Sequence, residues 1–130
     1  GGRLELAGSG ALTGLVTVNS GELVLSADNA IQGSDISVYD TLNIKDTIQN
    51  INSLNIDYYS AGNITGTGTV IANNNISHKR TVGTVDASYQ SLNGNVTVWA
   101  DVMNGDVTAA ETATLGKYSS MTEHFLDTFC

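Results

Sequence analysis

The chain has 130 residues with 14 Gly, 13 Asn, 12 Ser and 15 Thr, no proline, 14% charged residues and a formal net charge of -8. Its 31 Leu, Ile and Val residues exclude a disordered chain, and the dominance of weak helix formers excludes a helical bundle, which leaves an all-β chain of short strands and tight turns. Five basic residues cannot build the cationic surface that nucleic acid or an anionic membrane requires, and no run of 18 apolar residues is present to cross a bilayer.

From the amino terminus onward, apolar residues recur in pairs two positions apart. Leu4/Leu6, Leu23/Leu25 and Leu42/Ile44 follow one another in equal steps of 19. A second series, Val16/Val18, Ile36/Val38 and Leu54/Ile56, has steps of 20 and 18, and a third, Leu12, Ile31 and Ile51, has steps of 19 and 20. Three apolar stations per turn predict a three-sided parallel β-helix, in which each strand stacks on its counterpart in the next coil about 4.8 Å away. The paired residues form the expected core ladder, and the residues between them, Glu5, Val24 and Asn43, are expected to point outward. Corners fall at Gly8-Ser9-Gly10, Asn19-Ser20-Gly21, Gly33-Ser34-Asp35 and Ala61-Gly62-Asn63, whose residues suit tight turns. Proline would remove ladder hydrogen bonds, in keeping with its absence. At about 19 residues per coil, the 130 residues allow roughly seven coils.

Residues 1–72 read as regular coils and residues 73–130 as a less regular β-rich continuation or cap. Ile64, Val70/Ile71, Val82/Val85, Val96/Val98, Val102 and Val107 continue the strand signal without an assignable station. Asn73-Asn74-Asn75 suits an amide ladder or an exposed corner. Asn93-Gly94 and Asn104-Gly105 are turn signals, and the stretch from Gly94 to Val107 reads as a hairpin-like departure from the coil. Ser120-Met121-Thr122-Glu123 has capping-box spacing ahead of Phe125, Leu126 and Phe129, so a short C-terminal helix and a frayed tail are both open. The single cysteine, Cys130, allows no internal disulfide.

The segment from Gly1 to Leu25, most specifically Thr17-Val18-Asn19-Ser20-Gly21-Glu22-Leu23-Val24-Leu25, resembles the passenger-associated repeat of bacterial autotransporters, G-x-L-x-L-x-G followed by T-G and T-V-N-x-G-x-L-x-L. The stretch from Thr41 to Leu54 is similar to the coil that commonly follows, and Gly62 to Ile71 to the next, so the resemblance extends from Gly1 to the neighbourhood of Ala72. It implies a right-handed parallel β-helix exported by a Gram-negative bacterium, displayed on or released from its surface, and followed in the parent chain by an outer-membrane barrel. Gly1-Gly2-Arg3-Leu4 lacks the regions of a signal peptide and reads as a cut inside a longer chain. The stretch from Tyr89 to Asp101 is similar to the folding-promoting region of such passengers, which makes an autochaperone role an alternative for the second half.

Side chains that suit binding are few. Tyr58, Tyr59 and Trp99 could stack on sugar rings, although alternation sends one of the two tyrosines inward and a Trp beside Val98 suits the core. His78-Lys79-Arg80 is the basic cluster, suited to a carboxylate or sulfate on a glycan or, more simply, to a solvated loop. Asp35, Asp40, Asp46 and Asp57 would serve a pectin-lyase-like glycan-active enzyme, but no spacing among them fixes a metal cage, and the calcium-binding nonapeptide repeat is absent. His124 has no acid or nucleophile beside it to suggest a triad. Three Asn-x-Ser/Thr triplets, at Asn63, Asn75 and Asn95, are expected by chance in such a composition. The leading expectation is therefore a non-enzymatic adhesin-like stalk without cofactor or metal. Its partners would be a host surface glycan or protein, or sister cells through self-association.

Overall fold

The computed structural model describes residues 2–10, 12–116 and 127–129. Its strands are β1 (Gly2–Leu6), β2 (Leu15–Val18), β3 (Gly21–Leu25), β4 (Asp35–Val38), β5 (Thr41–Asn43), β6 (Ile48–Ile51), β7 (Ser53–Ile56), β8 (Asn63–Thr65), β9 (Thr69–Ala72), β10 (Ile76–Val85), β11 (Ser88–Ser91), β12 (Val96–Met103), β13 (Val107–Ala109), β14 (Ala113–Gly116) and β15 (Asp127–Phe129). They form the three walls of a β-helix: a first sheet β1-β3-β5-β8, a second sheet β2-β4-β7-β10-β12-β14-β15, and a third sheet β6-β9-β11-β13. Every ladder is parallel except β14 with β15.

The apolar series line up across coils as their spacing requires. Leu4 faces Leu23 and Leu23 faces Leu42, while Val16 faces Ile36 and Ile36 faces Leu54. Val16, Val18, Leu23, Leu25, Ile36, Val38, Leu42, Ile44, Leu54 and Ile56 are buried in one continuous core, joined by Ile31 and Ile51 of the third series. The core ladder fails at its first rung. Leu4 is 57% exposed and Leu6 only partly buried, and β1 and β2 are the outermost strands of their sheets among the described residues. An open groove of about 420 Å³ lies there between Leu4, Leu12, Val16, Val18 and Leu23. Val24 also departs from expectation: it lies in an outward position, yet it is fully buried.

Six parallel strands stack in the second sheet instead of roughly seven coils, because the chain before Leu15 and after Gly116 adds no further parallel strand to this wall among the described residues, and the steps within it vary between 17 and 22. Leu42 pairs with Ile64, and Leu54 with Ile76, so this ladder step spans 22 in the numbering instead of 19. The additional residues enter at one corner: Tyr39 and Asp40 suffice between β4 and β5, whereas residues 57–62 connect β7 to β8.

After this coil the same corner vanishes. β10 and β12 run without interruption through the corner, and β10 shifts register against β12 between His78 and Thr81 and again between Thr81 and Thr84. Such bulges bend a strand, so the far halves of β10 and β12 turn into the place of the first sheet, where β10 packs on β8. The stretch from Gly94 to Val107 is thus no hairpin. It is β12, parallel to both β10 and β14, together with the turns at its ends. The Asn-Gly pairs have another cause. A side chain at Gly105 would run into the Ala87 carbonyl of the coil below, so this corner needs glycine for close approach.

Two polar groups complete the interior. Gln49 is buried where the preceding coil has no strand in the third sheet; its Oε1 accepts from Ala30 N–H (3.0 Å), and its Nε2 donates to the Ala27 carbonyl (2.7 Å) and to Thr47 Oγ1 (2.8 Å). His78 and Tyr89, also buried, meet through Nδ1 and the phenol at 2.7 Å. At the far end β15 lies antiparallel on β14 and covers the edge of the second sheet. The expected capping-box helix begins outside the described residues, and residues 127–129 are strand.

Candidate binding face

Alternation along a strand sends every second residue outward, so the residues between the buried pairs of the second sheet share its outer face. Their register is continuous: Thr17 faces Ser37, Ser37 faces Asn55, Asn55 faces Ser77, Ser77 faces Thr97 and Thr97 faces Thr114. Six small hydroxyl or amide side chains therefore stand in one file about 24 Å long, at the usual ladder spacing of about 4.8 Å. The file is readable from Val16-Thr17-Val18, Ile36-Ser37-Val38 and Leu54-Asn55-Ile56. It becomes obscure at Ile76-Ser77-His78, where a histidine takes the apolar place.

One margin of this face is an amide corner. Asn74 Nδ2 donates to Asn52 Oδ1 (2.8 Å), and Asn52 Nδ2 donates to Asp35 Oδ1 (2.7 Å), linking three coils. Asn93 Nδ2 donates to Asn73 Oδ1 and Asn95 N–H to Asn75 Oδ1, both at 2.9 Å, so Asn73-Asn74-Asn75 does form the amide ladder its composition suggests. Hydrogen bonds from Ser53 and Asn52 hold the Asp35 carboxyl below its ordinary pKa.

The opposite margin carries the aromatic residues. Tyr58 and Tyr59 lie on the inserted corner of residues 57–62 and meet edge to face, with centroids 5.1 Å apart. Tyr58 also reaches Trp99 of β12, two strands further along the sheet, with centroids 5.6 Å apart and planes at 74°. Lys79 of β10 stands between these strands with Nζ 5.7 Å from the Trp99 centroid, a cation-π distance. Trp99 is on the outer face, not in the core, because it follows inward Val98 in a regular strand; its partial cover comes from Tyr58 and Lys79. Its Nε1 is buried without a hydrogen-bond partner among the described residues, so ring contacts and the ammonium hold the indole. Neither tyrosine turns into the core: Tyr59 is 85% exposed and Tyr58 partly exposed.

Four of the six candidate contact residues, Tyr58, Tyr59, Lys79 and Trp99, thus converge. His78 does not join them. It is an interior residue of β10 bonded to Tyr89, not part of a solvated loop, and it cannot meet a ligand at the surface. Burial drives the Tyr89 phenol pKa upward and keeps the hydroxyl protonated. Arg80 lies in β10 within the first register shift, between His78 and Thr81, and its side chain is outside the description.

The four aspartates considered for glycan chemistry are dispersed. Asp35 begins β4, Asp40 accepts from the Gly21 N–H of the preceding coil at 2.6 Å, and Asp46 and Asp57 occupy separate corners. Among the described residues, no group of three or more His, Cys, Asp or Glu could hold a metal ion. No protein-family model, curated protein or solved structure matches this chain.

Proposed function

We propose that this chain is a non-catalytic, stiff segment of a secreted or surface-displayed bacterial passenger of the autotransporter type, which presents one wall of its β-helix to host or sister cells. The supporting observation is the second sheet's outer face, where a six-residue polar file runs unbroken between an amide corner and an aromatic corner. Such a surface is built of small hydroxyl and amide side chains. It offers many weak contacts along a line, and a stack in which each coil braces the next keeps that line straight. The resemblance of residues 1–25 to the passenger-associated repeat supports export and a downstream outer-membrane barrel in the parent chain. Beads coated with the chain should bind epithelial monolayers or one another more than albumin-coated beads do, and soluble chain should compete. Equal behaviour of the two bead types in both settings would refute the reading.

A further inference from the structure

Resting on that reading of the second sheet as the binding wall, we infer that its ligand is an uncharged pyranose polysaccharide, anchored on the exposed Tyr59 and laid along the polar file. The corner of residues 57–62 is where the coil departs furthest from its neighbours. The connection one coil earlier needs only two residues, and β10 and β12 pass the corner with none. The insertion thus has no counterpart of its length in the neighbouring coils, and it carries two adjacent tyrosines. Packing does not account for Tyr59, which is 85% exposed, and Tyr39, at the same corner one coil earlier, is exposed as well.

Aromatic faces bind the C–H faces of sugar rings by dispersion and by partial positive charge on the C–H groups, whereas the sugar hydroxyls need donors and acceptors beside the ring. Both requirements are met in adjacent positions. Thr97 and Trp99 are on the same outward side of β12, and Ser77 and Lys79 on the same outward side of β10. From there the file continues through Asn55, Ser37 and Thr17 with a polar group at every ladder step. Hydroxyls and amides both donate and accept, which matches a chain of hydroxyls in either direction.

Charge selects the uncharged class. The file itself holds no ionised side chain, Asp35 lies beside it, and the chain as a whole carries 13 acidic against 5 basic residues. A polyanion would be repelled along most of the face. Lys79 does not reverse this, since its ammonium is placed over the indole, where it orients the ring.

The test is affinity gel electrophoresis of the whole chain in gels containing mixed-linkage β-glucan, galactomannan or polygalacturonate. Retardation of at least twofold is expected in one or both uncharged polymers and none in polygalacturonate. Tyr59→Ala, an exposed position, should abolish the retardation with an unchanged circular dichroism spectrum. Thr97→Asp should weaken it several-fold by placing a charge in the file. No retardation by either uncharged polymer, or retardation that survives Tyr59→Ala, overturns the inference. Retardation by polygalacturonate alone, lost in Lys79→Gln, overturns it in favour of an anionic ligand. Bead adhesion by a chain that neither uncharged polymer retards leaves the stalk reading standing while removing this one, so the two fail separately.

Discussion

Replacing Gln49 with leucine tests why a buried amide is tolerated in an otherwise apolar interior. The Gln49 side chain makes three hydrogen bonds, two of them to the backbone of the preceding coil, at Ala27 and Ala30, where no third-sheet strand is present to offer partners. Leucine keeps the approximate volume and gains apolar burial, but it strands the fully buried Ala30 N–H, while the partly exposed Ala27 carbonyl can turn to water. A buried donor without a partner costs about 1–3 kcal/mol, and loss of the two hydrogen bonds from Nε2 roughly offsets the apolar gain, so the net loss is about 2 kcal/mol. In a chain of this size that corresponds to a midpoint lowered by roughly 6–10 °C. Urea titration followed by circular dichroism gives the free energy, and amide exchange should show fastest opening at residues 27–31. Gln49→Glu provides a control. Its carboxylate accepts from Ala30 N–H but repels the Ala27 carbonyl, and burial raises its folded pKa. Its deficit should therefore be smallest below the unfolded pKa of about 4.3 and grow as pH rises from there to the raised folded value. A Gln49→Leu protein within about 0.5 kcal/mol of the parent, a margin typical of neutral surface changes, would refute the reasoning.

Three further changes probe other parts of the stack. Gly105→Ala forces a methyl group against the Ala87 carbonyl and should cost about 3 kcal/mol in a urea titration, with loss concentrated in the last coils. Ser34→Ala removes a buried hydroxyl that has no partner among the described residues, and should raise the urea-derived stability by about 1 kcal/mol. Hydrogen bonds in the folded state depress the Asp35 carboxyl below its ordinary 3.8, so its stabilisation is complete above that value and disappears as pH falls through the lower folded pKa. Acid titration of melting temperature should accordingly be shallower in Asp35→Asn than in the parent below about pH 4, and identical slopes would refute this assignment.

The walls of the first coils were legible because burial on one side imposes a period of two, and stacking imposes near-equal steps. That logic stops at Leu4, since spacing alone does not reveal that a rung is terminal and exposed. It also weakens after Ile56, for three local reasons. The inserted tyrosine corner shifts the register by several residues, His78 occupies an apolar station, and Tyr89 fills the interior position that Val70 holds one coil earlier. A histidine beside Lys79 and Arg80 looks like surface charge in sequence, and only the distant Tyr89 hydroxyl makes it an interior residue. Asn-Gly marks a hairpin turn and a coil corner alike, because both require glycine, and the deciding neighbour, Ala87 for Gly105, is a tertiary one. For the binding face, the residue types were legible but their convergence was not: Tyr58 and Trp99 are far apart in the chain and meet only because an inserted corner spans two ladder steps.

Residues from six successive coils stand in one straight file. Nitroxide labels at Thr17→Cys and Thr114→Cys, in a Cys130→Ser background, sit five ladder steps apart on the same face. Double electron-electron resonance should give one narrow distance distribution centred between about 20 and 30 Å, around the roughly 24 Å expected from the ladder spacing. A broad distribution, or a narrow one centred well above that range, would contradict the stacked coil and the binding wall built on it.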